Sequence, residues 1–251
     1  MSDSPGDTTH FGYRDVPVAE KQRLVGRVFS SVASDYDRMN DLMSLGVHRL
    51  WKRHFVATSG ARAGQTVLDL AGGTGDVAAL LSARVGDTGL VVLGDINAQM
   101  LAVGRDRLLD RGVFANVRYA RLNAEALPFP DAHFDAVTIA FGLRNVTDKL
   151  AALKEMKRVL RPGGKVMVLE FSEVRAAPLK PMYDLYSFKV LPWLGAQVAG
   201  DAESYRYLAE SIRKHPNQEG LAALMREAGL ERVEHRNLSA GIVAIHSGFR
   251  L

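Results

Sequence analysis

The stretch Val67-Leu68-Asp69-Leu70-Ala71-Gly72-Gly73-Thr74-Gly75-Asp76, followed by Asp95 at the end of Leu90-Val91-Val92-Leu93-Gly94, limits what this chain can fold into more than any other segment. A buried-type strand that runs into three glycines, with a carboxylate at the tip of the next strand, is how a parallel α/β sheet holds an adenosine-containing cofactor. The spacing is not the G-x-G-x-x-G that seats a pyrophosphate on a helix N-terminus. Asp69, inside the strand, would repel a pyrophosphate but can accept hydrogen bonds from an ammonium group. The loop therefore favours a cationic cofactor, S-adenosylmethionine, over NAD. A tight turn in which Asp69 only caps backbone amides is the plainer alternative. Asp95 weighs against that, because a ribose diol needs such an acceptor.

At 251 residues and 47% hydrophobic content, one α/β domain with insertions is expected. Residues 1–22 are polar and aperiodic and are read as a mobile arm, with a single domain over 23–251. No apolar run approaches the roughly 18 residues of a membrane span, and the first residues have neither a signal-peptide core nor a transit composition, so a cytoplasmic protein is expected. With no cysteine, thiolate chemistry and cysteine metal sites are excluded. The seven histidines show no paired ligand spacing, so no metal is expected. A net charge of +4 is compatible with an anionic membrane surface or with nucleic acid.

In segment 24–56, Val47, Leu50, Trp51 and Phe55 share one helical arc with His54, and Arg49, Lys52 and Arg53 lie on the other. Such a helix either packs on the sheet or lies at a membrane interface, packing being the commoner outcome. Strands are expected at 66–71, 90–95, 116–121, 134–141 and 165–171. The helices between them start at the glycine loop, at the cap Asn97 and at the cap Thr147, and stop at Gly112 and at Arg161-Pro162-Gly163-Gly164. A helix from Asn217 to Gly229 and a closing hairpin, 230–238 with 241–249, complete a doubly wound, Rossmann-like sheet of about seven strands with an antiparallel last strand. Segment 173–215 breaks the rhythm with Tyr183, Tyr186, Phe188, Trp193, Tyr205 and Tyr207, and reads either as a substrate cover or as a packed helical insertion.

Several blocks resemble the ubiquinone/menaquinone biosynthesis C-methyltransferases over nearly the whole chain. They are Val28 to Asp37, Asn40-Asp41-Leu42-Met43-Ser44, His48-Arg49-Leu50-Trp51-Lys52, the glycine loop, Asn123-Ala124-Glu125-Ala126-Leu127-Pro128-Phe129, Phe141-Gly142-Leu143-Arg144-Asn145-Val146 and Ser204-Tyr205-Arg206-Tyr207-Leu208. The glycine loop and the Arg-Pro-Gly-Gly stop are shared by many class I methyltransferases. The arginine-asparagine motif and the amino-terminal block are the discriminating parts. The resemblance implies a class I methyltransferase fold with N-terminal helices and a helical insertion. It also implies cofactor contacts at Thr74, Asp95, Asn123 and Ala124, to which the glycine loop itself adds Asp69, Gly73 and Gly75. Ala140, where close relatives often have serine, is a departure, and Ala71 replaces the glycine of most methyltransferase loops.

The implied reaction methylates a ring carbon of a polyprenylated quinol. The ring needs a proton acceptor and a cationic neighbour for the developing oxyanion. Arg144 and Asn145, after the fourth strand, are expected to supply charge and orientation, unless Arg144 pairs with a nearby acid and only shapes the loop. Tyr36 is a weaker catalytic candidate that, with Asp37, is expected to close over the cofactor. A lipid-borne tail implies peripheral contact with the inner face of the cytoplasmic membrane, through helix 47–55 or the aromatic insertion. Self-association or membership of a quinone-biosynthesis complex is compatible with this. The alternatives are another small-molecule or RNA methyltransferase, disfavoured by the absence of a basic stripe, and a non-catalytic cofactor-binding subunit.

Overall fold

The computed structural model describes residues 8–31, 33, 39–41, 44–176, 178–190 and 202–251. Its centre is a seven-stranded sheet ordered β5-β4-β3-β6-β7-β9-β8. The strands are β3 (Thr66–Leu70), β4 (Leu90–Asp95), β5 (Val117–Arg121), β6 (Phe134–Ala140), β7 (Leu160–Phe171), β8 (Glu231–Leu238) and β9 (Val243–Phe249). Neighbours from β5 through β7 pair in parallel, and β9 lies antiparallel between β7 and β8. This is the doubly wound, Rossmann-like sheet with one reversed strand that the sequence predicts. Strands β3, β4 and β6 are buried almost throughout because helices cover both faces, and they read as continuous apolar runs for that reason.

Helices α1 (Val18–Ser31), α2 (His48–Thr58), α3 (Asp76–Val85) and α4 (Ala98–Asp110) precede the sheet's midpoint. Helices α5 (Lys149–Val159), α6 (Leu179–Leu185), α7 (Ala202–Lys214) and α8 (Gln218–Glu227) follow it. Asn97 caps α4 by accepting from the amides of Gln99 and Met100, and Asn217 caps α8 through Gly220, as their positions predict. The cap of α5 is Asp148, which accepts from the Ala151 amide, rather than Thr147. The expected stop at Arg161 to Gly164 lies inside β7. Leu160 already pairs with Phe134, a register shift follows, and Gly163 takes φ +81°.

The amino-terminal arm is corrected over its described part. Residues 8–17 form a hairpin, β1 (Thr8–Phe11) with β2 (Arg14–Pro17), turned by Gly12 at φ +59°. Residues 18–22 begin α1. Phe11 is buried with Val25, Val28 and Tyr207, and its ring stacks on Tyr207 at 4.2 Å. Helix α2 packs inward through Trp51, Phe55 and Val56, which are buried in the main core, while Leu50 of the same arc stays exposed.

Candidate active site

The carboxyl ends of β3, β4 and β6 open on one cleft, whose space together with the solvent at its mouth comes to about 870 Å³. Asp95, Asn123, Ala124 and Asn145 line it, as do Gln22, Val25, Gly26 and Phe29 of α1. The sequence reading did not include the α1 residues. Their signal was Gly26, a helix-interior glycine whose added Cβ would meet nothing within 4 Å. Asn97 Nδ2 holds this helix in place, donating to the Gly26 carbonyl at 3.2 Å and to Ser30 Oγ at 3.0 Å. A smaller recess of about 350 Å³ shares Ala71, Gly73 and Phe141 with the cleft and is lined also by Lys52, Asp69, Gly72, Thr74, Asp76 and Ala140.

Asp69 is 1% exposed. Its Oδ1 accepts from Thr138 Oγ1 at 2.8 Å, while Oδ2 has no hydrogen-bond partner among the described residues. Burial raises its pKa to about 7, only partly offset by Thr138 and by the charge of Lys52. A Cβ on Gly72 would sit 3.0 Å from that orphaned oxygen, so glycine keeps the approach open. The neighbouring Asp76 is in the opposite state. Burial pushes it up, but Lys52 Nζ at 2.9 Å, Arg107 and Arg111 together hold it below the usual carboxylate range.

Asp95 lines the cleft and accepts from the Gly73 amide at 3.0 Å and the Asn97 amide at 2.8 Å, with the Ile96 amide adding to the same carboxylate. Burial raises its pKa to about 6 against those bonds. Asn123 Oδ1 accepts from the Glu125 amide, fixing the amide plane at the cleft wall. Gly75 lines neither cavity. It takes φ +83° behind the loop, where a Cβ would touch Leu108 at 3.0 Å, so its part is to pack α3 and the loop against the core. The orphaned Asp69 oxygen suits an ammonium group, and the Asp95 carboxylate at the cleft wall suits a ribose diol. The residues present thus fit S-adenosylmethionine.

Arg144 differs from the expectation that it faces substrate. It is 3% exposed and does not line the cleft. Its Nη1 donates to Glu170 Oε1 at 3.0 Å and to the Phe141 carbonyl, and its amide donates to Glu170 Oε2. Phe141 sits at φ +57°, a left-handed conformation that bulky residues avoid. The guanidinium thus braces a strained turn, and its charge is compensated by a carboxylate that is 1% exposed. A phenolate would gain little from it. The next residue, Asn145, does reach the cleft, and its Oδ1 accepts from Tyr207 Oη at 3.0 Å. Beyond it the Val146 carbonyl accepts from two ammonium groups, that of the half-buried Lys149 at 3.2 Å and that of the buried Lys21 at 3.4 Å. Burial lowers both lysines, Lys149 to about 8. Tyr36, Asp37 and Trp193 lie outside the described residues.

The ubiE/COQ5 methyltransferase family matches residues 17–250. A ubiquinone/menaquinone biosynthesis C-methyltransferase of Xanthomonas campestris is 64% identical over 253 residues, covering 100% of both chains. One from Xylella fastidiosa is 65% identical over 243 residues, covering 97% of this chain and 96% of its own. Among solved structures, an S-adenosylmethionine-dependent methyltransferase of Aquifex aeolicus superposes with a TM-score of 0.61 at 20% identity, over 86% of this chain and 98% of that one, which is a likeness of fold.

Proposed function

This chain belongs to the ubiE/COQ5 methyltransferase family, and from that premise we propose how its residues methylate a ring carbon of a polyprenylated quinol. It is an S-adenosylmethionine-dependent C-methyltransferase of ubiquinone and menaquinone biosynthesis. Asp69 holds the cofactor's ammonium group, Asp95 its ribose hydroxyls, and Asn123 with the Ala124 amide its adenine edge. Gly73 and Thr74 shape the loop around it. The cofactor supplies an electrophilic methyl group on a sulfonium.

The observation that carries the division of labour is that Asn145, and not Arg144, stands at the cleft wall. A ring carbon becomes nucleophilic when the adjacent hydroxyl loses its proton, so the site must favour an oxyanion over a phenol. Asn145 Nδ2 is the donor for that oxygen. Lys21 and Lys149, converging on the next carbonyl, add positive potential in a desolvated setting, where charge acts over a longer range than in water. Arg144 acts at one remove by keeping the Phe141-Gly142 turn, and hence Asn145, in place. Deleting the gene and profiling quinones by mass spectrometry tests the substrate class. Accumulated demethylated quinones are expected, and a normal quinone pool would overturn it.

The prenyl tail requires a lipid-facing surface, and we assign it to Leu45 and Leu50 before and on α2 and to Met182 and Leu185 on α6. They are 80%, 61%, 68% and 54% exposed. Among the described residues no helix is long and apolar enough to cross a membrane, so the contact would be peripheral. Sedimentation with anionic liposomes should show salt-sensitive binding that Leu50→Ser together with Leu185→Ser weakens. Binding unchanged in that variant would remove these residues from the contact.

A further inference from the structure

Tyr207 lies on α7, in the segment expected as a substrate cover, yet it is 4% exposed and lines no part of the cleft. Its ring is clamped by Phe11 of the hairpin, 4.2 Å away with planes 19° apart, and by Val25 and Val28 of α1. Its hydroxyl has one hydrogen-bond partner among the described residues, Asn145 Oδ1. A buried phenol O–H must find an acceptor, and burial keeps this one protonated far above neutrality. A side-chain amide is planar and two-faced, with an acceptor at one end and two donors at the other. If the Asn145 amide were turned over, its donors would face Tyr207, the phenol hydrogen would lose its acceptor, and a carbonyl oxygen would face the substrate.

We infer that Tyr207 is a positioning residue of the methyl transfer, fixing the Asn145 amide so that its Nδ2 donor is directed at the substrate's ring oxygen. The inference rests on the reading of Asn145 as that donor. It also gives the hairpin and α1 a part in the chemistry, since the Phe11 stack and the α1 valines hold the ring from which the hydroxyl projects. No described residue accepts a hydrogen bond from Asn145 Nδ2, so that donor is available to the ligand.

The test is a cycle of Tyr207→Phe, Asn145→Ala and the double variant. Phenylalanine retains the stack and the packing and removes only the hydroxyl. Tyr207→Phe is expected to lower kcat roughly tenfold, the worth of one buried hydrogen bond, with cofactor affinity unchanged. In the Asn145→Ala background the same change should have no further effect, because its only route to the reaction is gone. Additive losses, or an unchanged kcat in Tyr207→Phe, would overturn the positioning role. Full activity in Asn145→Ala would instead remove the donor reading on which it rests. A second readout needs no turnover. In the ¹⁵N spectrum of the ligand-free protein, the side-chain amide resonance identified by its absence in Asn145→Ala should move in Tyr207→Phe. If it stays in place, the hydrogen bond does not exist.

Discussion

Asp69 and Arg144 are both buried charges beside the cleft, both follow from the sequence pattern, and they are left in opposite electrostatic states. Asp69 has one oxygen without a partner among the described residues and a pKa raised to about 7, so the fold bears an unmet desolvation cost in the absence of ligand. Arg144 is paired with Glu170 and with the Phe141 carbonyl, so its charge is already balanced within the protein, although its Nε has no hydrogen-bond partner among the described residues. An unmet buried charge lining a recess marks a place for a ligand of opposite sign, whereas a satisfied one marks a joint in the scaffold. The same contrast separates Asp69 from Asp76 a few residues later, where Lys52 closes the account from within.

Breaking the satisfied pair should have the largest effect. Arg144→Ala leaves Glu170 buried without its cation and should destabilise the fold by about 3–5 kcal/mol in denaturant unfolding. Replacing both by methionine should restore much of that stability while leaving turnover low, because the Phe141 turn loses its brace. Asp69→Asn is next. It keeps the Thr138 hydrogen bond but removes the charge, and calorimetry should show cofactor affinity falling about tenfold or more while the ligand-free protein melts no lower.

The pH dependence follows in sign from the raised pKa values. An acid whose folded pKa lies above its unfolded value is destabilising once ionised, so the ligand-free protein should lose stability as pH rises from about 4 to about 7 through Asp95 and Asp69. Asp69→Asn should flatten the upper part of that window. Cofactor affinity should rise through the same interval, since a cationic ligand needs the ionised carboxylate. The smallest effect is expected at Gly26. Gly26→Ala should raise stability by about 0.5–1 kcal/mol, as an alanine does within a helix, since its methyl would meet no atom within 4 Å; thermal unfolding checks it.

The two sides of the site were unequally legible in the sequence. The glycine loop, Asp69, Asp95 and the Asn97 cap are local signals, since a strand end, a turn and a helix start lie within a few residues of one another and dictate the backbone between them. Even there, Gly75 looks like its neighbours in the sequence, and only Leu93 and Leu108 behind it show that it packs the loop. Arg144 could not be resolved locally, because its partner Glu170 lies on the next strand, 26 residues on. The hairpin was missed for a similar reason. Two four-residue strands of polar composition carry a weak pattern, and the partner that buries Phe11 comes from α7.

That hairpin also fixes the order in which the site is completed. Phe11 meets Tyr207, the Tyr13 amide donates to Glu210 197 residues away, and Arg14 pairs with Glu203. During synthesis the hairpin leaves the ribosome long before α7 and must wait for that helix before it can dock. The parallel strands and the glycine loop can assemble earlier, from contacts much shorter in sequence. A nascent chain halted before α7 would therefore contain the cofactor loop without the clamp on Asn145, and closure of the cleft becomes a late event of folding, timed by the carboxyl-terminal third of the chain.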